Sequence, residues 1–384
     1  MSAVFNRPAL WKRIKPWFEG LDLPLLGAIV WILGLSLVCM YSAGYDHGTR
    51  FVDHARNMVL ALGVMFAMAQ LPPQRLAKLA VPLYSVGVAL LIATLLIGVS
   101  KKGATRWLRI GVEFQPSEIL KIAMPLMLAW WFQKREGLLR LPDFIAAFLL
   151  LAVPVLLVAK QPDLGTAILV LSTGLYVIFF AGLSWRLIIP VMLVGGIAIG
   201  ALVSSEDRIC QPELKWPVLK AYQKDRVCTL LDPSKDPLGK GFHIIQGEIA
   251  IGSGGIGGKG FMKGTQTHLE FIPERTTDFV FAAFGEEFGL IGAILLLCGY
   301  TALILRGLVI AHEAGTLFSR LMAGAITLSF FTYVFVNMGM VSGILPVVGV
   351  PLPFVSYGGT AMVTLGLSLG MLLAIAKAKR YTRR

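Results

Sequence analysis

Residues 22–43 read DLPLLGAIVWILGLSLVCMYSA, an apolar run that contains no basic side chain. About 20 consecutive apolar residues are enough for a helix to cross the hydrocarbon core of a bilayer. Further apolar runs lie near 55–71, 76–99, 117–133, 143–160, 164–182, 186–204, 278–306, 318–345 and 357–377. The pattern predicts an all-α, polytopic integral membrane protein with about ten transmembrane helices.

The composition of the whole chain agrees with this fold class. Hydrophobic residues make up 56% of the 384 residues and charged residues 15%, and the mean hydropathy is +0.73. Soluble domains carry about 25% charged residues, so a water-soluble enzyme, a disordered chain and a disulfide-dense scaffold are excluded. The net charge of +13 indicates lipid headgroups rather than nucleic acid, because no basic run alternates with aromatic residues.

The basic residues predict how the chain is oriented. An even number of spans puts both termini on one side, where short segments hold seventeen Lys and Arg residues against seven in the opposite short loops. Cytoplasmic loops are enriched in Lys and Arg, so we expect cytoplasmic termini. Residues 1–20 would be a cytoplasmic segment and 21–384 a single transmembrane domain, with an extracytoplasmic loop at 205–277 between helices 7 and 8.

Ionisable residues inside the spans are candidates for function because they are costly in a bilayer. Lys121 lies about one turn inside the fourth span and Asp163 opens the sixth, both at the outer end, where they could pair. Glu118 shares a helix face with Lys121. The pair could be a purely structural link between two helices, or it could form the floor of a cavity.

A short basic segment lies directly before the fourth span. It contains Arg106, Trp107 and Arg109, and the following Pro116 and Ser117 are typical of a helix start. A helix N-terminus beside two arginines favours a phosphate group, although a solvated basic loop is the alternative. The glycine-rich stretch 251–260 lacks the spacing of a nucleotide-binding loop, and we interpret it as flexible or closely packed backbone.

Asp278 begins the eighth span and allows two interpretations. It could cap that helix, or it could be a carboxylate at the membrane surface that accepts a proton from an alcohol. Glu286 would lie about 80° around the helix and roughly 12 Å deeper. The segment 346–359 contains three prolines and three glycines and cannot be one regular helix, so we expect a broken segment lining protein or a cavity.

The outer loop contains two of the four cysteines. Cys210 and Cys228 are 18 positions apart in this loop, which the predicted orientation places in an oxidising compartment. We therefore predict a disulfide between them.

Together these segments resemble the SEDS family (shape, elongation, division and sporulation) over about residues 20–376, and more its elongation than its division branch. Six motifs in order carry the resemblance. They are Lys102–Leu108 with Phe114–Ile119, Lys160–Thr166, Tyr222–Arg226 with the following Leu231–Pro233, Gly241–Gln246 with Ala250–Gly255, Leu269–Phe279, and Pro351–Gly359.

The resemblance implies a peptidoglycan glycosyltransferase in the bacterial inner membrane that polymerises lipid II into β-1,4 glycan strands during cell elongation. It implies that Asp278 is the general base, which deprotonates the 4-hydroxyl of the acceptor sugar while undecaprenyl diphosphate leaves. It also implies that Lys121 and Asp163 form an intramembrane pair. Substrate-binding residues would be Arg106, Trp107, Arg109, Glu118, Lys121, Asp163, Glu274, Glu286 and Ser356.

Further expectations concern cofactors and partners. Arg106, Arg109 and Lys121 could stabilise the diphosphate leaving group without a tightly bound metal, although assistance by a divalent cation stays open. The implied partners are the nascent glycan strand, a class B penicillin-binding protein with transpeptidase activity, and other membrane proteins of the elongation complex, but no nucleic acid.

Two alternative functions remain, a lipid II flippase or transporter and a non-catalytic scaffold of the elongation machinery. Glu286 and Glu287 leave the transporter alternative possible, because we expect them to lie deeper in the membrane than the other charges. Thr276 stands where relatives commonly have His, which argues against an obligatory catalytic histidine there. Residues 205–221 look like additional sequence without a functional explanation beyond the predicted disulfide.

Overall fold

Helices lie at all ten positions where the sequence predicts membrane spans, in a computed structural model that describes residues 17, 19–46, 48–101, 104–110, 112–137, 139–211, 221–239, 241–272 and 274–382. Most of the expected N-terminal segment 1–20, Lys102, and residues 212–220 of the outer loop lie outside the described residues. In chain order the elements are α1 Leu23–Ala43, α2 Arg50–Met68, α3 Pro73–Ile97, β1 Val99–Lys101, β2 Ala104–Ile110, β3 Val112–Phe114, α4 Pro116–Gln133, α5 Leu141–Lys160, α6 Leu164–Phe180, α7 Trp185–Ser204, α8 Glu206–Ile209, α9 Ala221–Leu231, α10 Phe242–Gly254, α11 Thr265–His268, α12 Val280–His312, α13 Leu317–Val341 and α14 Gly359–Thr382.

Eight of these helices are long and apolar enough to cross a membrane, and α4 and α6 complete the ten predicted spans. Helix α4 is enclosed by protein, since residues 123–129 are all buried and the helix packs against α3, α6 and α13. A helix shielded from lipid in this way tolerates ionisable side chains. Helix α7 is the opposite case, because none of its residues is buried.

Ten crossings return the chain to its starting side. We call the side with the start of α1 and the end of α14 the near side, and the side with the α7–α12 connection the far side. On the near side Asp22 caps α1 by accepting a hydrogen bond from the Leu25 backbone N–H at 3.1 Å. The same carboxylate receives two hydrogen bonds from Arg306 of α12, at 2.8 and 2.6 Å, and so ties these two helices together.

The basic segment before α4 is a three-stranded antiparallel sheet in the order β1-β2-β3, and the expectation of a loop there was wrong. Its residues from Thr105 to Ile110 include β-branched and aromatic side chains that favour strands. Side chains alternate between the two faces of a strand. Arg106 and Arg109, which are three positions apart, therefore lie on opposite faces of the sheet.

The far-side loop contains the expected disulfide. Cys210 and Cys228 are bonded, with their Cα atoms 5.6 Å apart. The bond joins the end of α8 to α9, across the undescribed residues 212–220.

Helix α12 is broken at Gly289, whose φ of 60° and ψ of −159° lie outside helical values. The glycine-rich stretch packs against the break, where the carbonyls of Gly255 and Ile256 accept hydrogen bonds from Leu290 and Ile291 at 2.9 and 3.1 Å. The interpretation as closely packed backbone is therefore confirmed. Residues 280–288 form a short far-side helix, and residues 290–312, about 35 Å long at 1.5 Å per residue, cross the membrane.

The break predicts that alanine destabilises the protein at Gly289 but not at a helical glycine with open space around it. Gly289→Ala should destabilise the protein by more than the roughly 1–2 kcal/mol that a left-handed backbone costs an L residue, because the new Cβ would lie 2.3 Å from the Gly258 backbone N. The matched control is Gly252→Ala in α10, where a Cβ meets nothing within 4 Å. Thermal unfolding in detergent checks this, and equal midpoints for the two variants would contradict it.

Candidate active site

Asp278 lies in a turn, Glu274–Phe279, that precedes α12 on the far side. The helix begins at Val280 with Phe279 as its N-cap residue, and no side chain caps it. Of the two interpretations open from the sequence, the cap is therefore wrong. Asp278 itself is half-buried.

Three consecutive carbonyls of this turn accept hydrogen bonds from other parts of the chain. The Thr276 carbonyl accepts from the Tyr357 backbone N–H at 2.8 Å, and the Thr277 carbonyl accepts from the Ser356 hydroxyl at 2.6 Å. The Asp278 carbonyl accepts from the Asn337 side-chain amide at 3.0 Å. Each of the three residues Thr276, Thr277 and Asp278 is thus fixed by a hydrogen bond to its backbone carbonyl.

The irregular segment 346–358 forms a wall beside the carboxylate. It contains no helix, as predicted, and Val350, Leu352 and Val355 within it are buried. At Gly349, whose φ is +74°, an added Cβ would lie 3.3 Å from Asp278 Oδ2. The Asp278 carboxylate therefore faces the Gly349 backbone, at a place where a side chain would crowd it.

Asp163 links the basic sheet to this wall. One of its oxygens caps α6 by accepting from the Thr166 N–H at 3.3 Å and lies 3.8 Å from Arg106, while the other accepts from Gln115 at 2.7 Å. Arg106 also donates to the Pro162 carbonyl. Gly165 then lies against the wall, because a Cβ there would be 2.6 Å from the Val348 carbonyl.

Lys121 does not pair directly with Asp163, which corrects the expectation from the sequence. Its ammonium group contacts Glu118 of the same helix at 2.6 Å, with only 8% of the lysine side chain exposed. The pairing differs because the Asp163 oxygens are occupied by Thr166, Gln115 and Arg106, while Glu118 is one turn away.

A single helix connects Lys121 to the turn of Asp278. The Lys121 ammonium lies 5.6 Å from the centre of the Tyr333 ring of α13. Four residues further along α13, Asn337 donates to the Asp278 carbonyl. Four helical residues span about 6 Å, so the cation lies roughly one turn deeper in the membrane than the backbone that carries the carboxylate.

Glu286 lies among donors of the far-side loop rather than deeper along a helix from Asp278, which corrects its expected position. Its fully buried carboxylate accepts hydrogen bonds from Lys259 Nζ at 2.7 Å, from the Gln266 N–H at 2.8 Å, and from the N–H and hydroxyl of Thr267 at 3.0 and 2.8 Å. The expected angle and depth assumed a helix running from Asp278, whereas α12 begins at Val280. Glu286 instead anchors the far-side loop.

Glu287 has a similar anchoring arrangement. It accepts a hydrogen bond from Ser42 of α1 at 2.5 Å and lies 3.3 Å from His268 Nε2. Since Glu286 and Glu287 both precede the break at Gly289, neither lies deep in the membrane. The positions of these two glutamates therefore do not support a transport function.

Other expected substrate residues shape the turn or lie apart from it. Glu274 accepts a hydrogen bond from the Thr277 hydroxyl at 2.9 Å, and Ser356 is buried and clamps Thr277. Trp107 is half-buried in β2, and the exposed Arg109 is on the sheet face opposite Arg106. Of the two arginines, Arg106 is therefore the one that contacts Asp163.

Two residues of the site were missed in the sequence. Arg50, at the start of α2, donates to the Thr276 hydroxyl and stacks over the Tyr357 ring at 5.2 Å. Asn337 is fully buried in α13. A lone amide within an apolar span was the available signal, since buried polar groups in membrane helices mark functional positions.

The described residues contain no cluster of three His, Cys, Asp or Glu side chains that could hold a metal ion.

Comparison with known proteins agrees with the motifs. Residues 20–381 match the sequence profile of a family described as "Cell cycle protein", which covers FtsW, RodA and SpoVE. The chain belongs to this family. The resemblance to SEDS proteins is thereby confirmed.

Curated relatives match this chain over nearly their whole length. The chain is 47% identical to "Peptidoglycan glycosyltransferase MrdB" of Escherichia coli strain K12, over 96% of both chains. It is 33% identical to "Probable peptidoglycan glycosyltransferase FtsW" of Geobacter sp. strain M18, over 94% of this chain and 98% of the relative.

Solved structures of family members have the same fold. One chain, from "Structural coordination of polymerization and crosslinking by a peptidoglycan synthase complex", is 32% identical, with a TM-score of 0.77 over 94% of this chain and 99% of that one. The Thermus thermophilus rod shape determining protein RodA is 28% identical, with a TM-score of 0.69 over 94% of this chain and 98% of that one.

The enclosed Lys121–Glu118 pair predicts how stability responds to its removal. Lys121→Met should lower the free energy of unfolding by about 3–5 kcal/mol, because it leaves the Glu118 carboxylate buried without its partner. Lys121→Met/Glu118→Gln should regain most of that loss. Thermal unfolding measures both variants, and Lys235→Met serves as the control, because Lys235 pairs with Asp232 while its own side chain is 53% exposed. A single Lys121→Met variant as stable as the wild type would contradict the prediction.

Proposed function

We propose that the protein is a peptidoglycan glycosyltransferase that polymerises lipid II into β-1,4 glycan strands on the outer face of the bacterial inner membrane during cell elongation. The observation that carries the proposal is the Asp278 carboxylate on the far side, with the buried cation Lys121 roughly one helical turn deeper in the membrane. The far side is taken as extracytoplasmic because the near side holds the larger share of Lys and Arg residues.

In this reaction Asp278 acts as the general base. It takes the proton of the acceptor 4-hydroxyl as that oxygen attacks the anomeric carbon of the lipid-linked chain. The new C1–O4 bond forms while the bond from C1 to the phosphate oxygen breaks, with inversion, and undecaprenyl diphosphate leaves. The hydrogen bonds to the carbonyls of Thr276, Thr277 and Asp278 support this role, because a base works only within hydrogen-bonding reach of the proton that it removes.

The departing diphosphate requires cations, and Lys121 and Arg106 are the groups placed for this. Lys121 is five residues into α4, about 8 Å along the helix, which is a depth suited to a lipid diphosphate at the headgroup level. Removal from bulk water strengthens its attraction for developing charge. Arg106 lies beside Asp163 at the start of α6, and this role does not require a direct Lys121–Asp163 bond.

The same site favours polymerisation over the two alternatives. Transport would be supported by charges through the membrane depth, but Glu286 and Glu287 are far-side anchors with hydrogen-bonding partners of their own. A scaffold would not require the backbone around Asp278 to be fixed at three successive carbonyls. It would also tolerate Asp278→Ala.

The protein is proposed to work with a class B penicillin-binding protein that crosslinks the new strand, together with other membrane proteins of the elongation complex. Similarity to a chain from a peptidoglycan synthase complex supports such a partnership. The remaining ligands are lipid II and the nascent glycan strand, and any divalent cation would bind together with the substrate phosphates.

Asp278→Asn tests the proposed base. The variant should lose at least about 100-fold in lipid II polymerisation, the lower range of what a general base contributes, because the amide cannot accept the hydroxyl proton. The assay uses purified protein with and without the transpeptidase partner. Asp232→Asn, at a half-buried far-side carboxylate, is the matched control. A folded Asp278→Asn variant with normal polymerisation would refute the assignment.

The Lys121→Met/Glu118→Gln variant separates a structural ion pair from a substrate-binding cation. If Lys121 binds the diphosphate, the stability of this double variant recovers but its polymerisation stays at least about tenfold below the wild type. Recovery of both stability and activity would assign the pair a purely structural role.

A further inference from the structure

The buried amide of Asn337 contacts both sides of the Asp278 site. Asn337 has no exposed surface, and its Nδ2 donates to the Asp278 carbonyl at 3.0 Å and to the Val350 carbonyl at 2.7 Å. Val350 follows Gly349, the residue that the Asp278 carboxylate faces. One NH₂ group therefore ties the residue that carries the carboxylate to the wall opposite it.

The chemistry of the two acceptors fixes the orientation of this amide. A rotated amide would point its oxygen at two carbonyl oxygens, and an amide has two N–H donors on nitrogen but only acceptors on oxygen. Its Oδ1 has no hydrogen-bond partner among the described residues. Asn337 thus leaves its own acceptor unsatisfied, at a cost, while both donors are used on the site.

The contact with Asp278 differs from those with its neighbours. Ser356 and Tyr357 hold the carbonyls of Thr277 and Thr276 and come from the irregular segment. Asn337 comes from a long membrane helix that also carries Tyr333 against Lys121. Helix α13 therefore sets the position of the carboxylate and that of the cation from one rigid element.

We propose that Asn337 is a positioning residue for the general base, an inference that rests on the proposed function. It sets the distance between the Asp278 carboxylate and the Gly349–Val350 wall, and so aligns the carboxylate with the acceptor hydroxyl. A displacement of about 1 Å in a reacting group can cost around 100-fold in rate. The amide touches no reacting atom, so its removal affects turnover and leaves lipid II binding unchanged.

The test compares turnover with substrate binding in two variants. Asn337→Leu keeps a similar volume without a donor, and Asn337→Asp keeps the shape but replaces the NH₂ by oxygen. For both we expect kcat for lipid II polymerisation to fall at least about tenfold, while KM stays within about twofold of the wild type. Each variant is assayed at a temperature where thermal unfolding shows it to be fully folded.

Thr327→Val is the matched control. It removes a buried hydrogen bond of the same helix, from the Thr327 hydroxyl to the Ala323 carbonyl at 2.7 Å, at a distance of ten residues from Asn337. Thr327→Val should lower the unfolding midpoint with kcat unchanged. An equal fall of kcat in this control would overturn the inference, since turnover would then follow stability alone.

The remaining outcomes separate this inference from the proposed function. If Asp278→Asn is inactive but folded Asn337 variants keep the kcat of the wild type, the positioning role is refuted and the polymerase stands. If neither Asn337 variant folds, the amide is a folding determinant and the positioning role is likewise refuted. If Asp278→Asn keeps normal activity, the proposed base is refuted, and this inference with it.

Discussion

Three consecutive carbonyls before α12 are the constraint on which the site depends. They belong to Thr276, Thr277 and Asp278, and they precede the helix, so no intrahelical N–H reaches them. Buried backbone acceptors near a bilayer need partners within the protein. The partners come from the irregular segment 346–358 and from Asn337. These hydrogen bonds hold the irregular segment beside the Asp278 carboxylate.

The acidic residues around the start of α12 have separate tasks. Glu274 accepts a hydrogen bond within the turn, and Glu286 accepts several from the far-side loop. Glu287 accepts one from Ser42 of α1 and lies beside His268. The break at Gly289 makes this possible, because it lets a short far-side helix stand apart from the membrane-crossing part. The Asp278 carboxylate faces the wall at Gly349, with Lys121 roughly one turn deeper.

The sequence predicted the membrane helices well because length and hydropathy alone decide them, and it identified the Cys210–Cys228 pair. The sequence was less informative where contacts between residues distant along the chain determine the structure. The strand pairing of the hairpins around Arg106 and Arg109 does not follow from their basic character. The sequence shows Glu118 as a neighbour of Lys121, but spacing along the chain does not reveal that Gln115 and Arg106 contact Asp163. Asn337 was overlooked because its acceptors lie 59 and 13 positions away along the chain, and Glu286 was misplaced because the helix starts later than its capping residues suggest.

The most direct measurement of the central claim is a high-resolution structure of the protein with lipid II bound. The diphosphate should contact Lys121, and the acceptor hydroxyl should face the Asp278 carboxylate across from Gly349. A diphosphate held on the near side of the membrane, or a sugar remote from Asp278, would contradict a far-side polymerase built on this carboxylate.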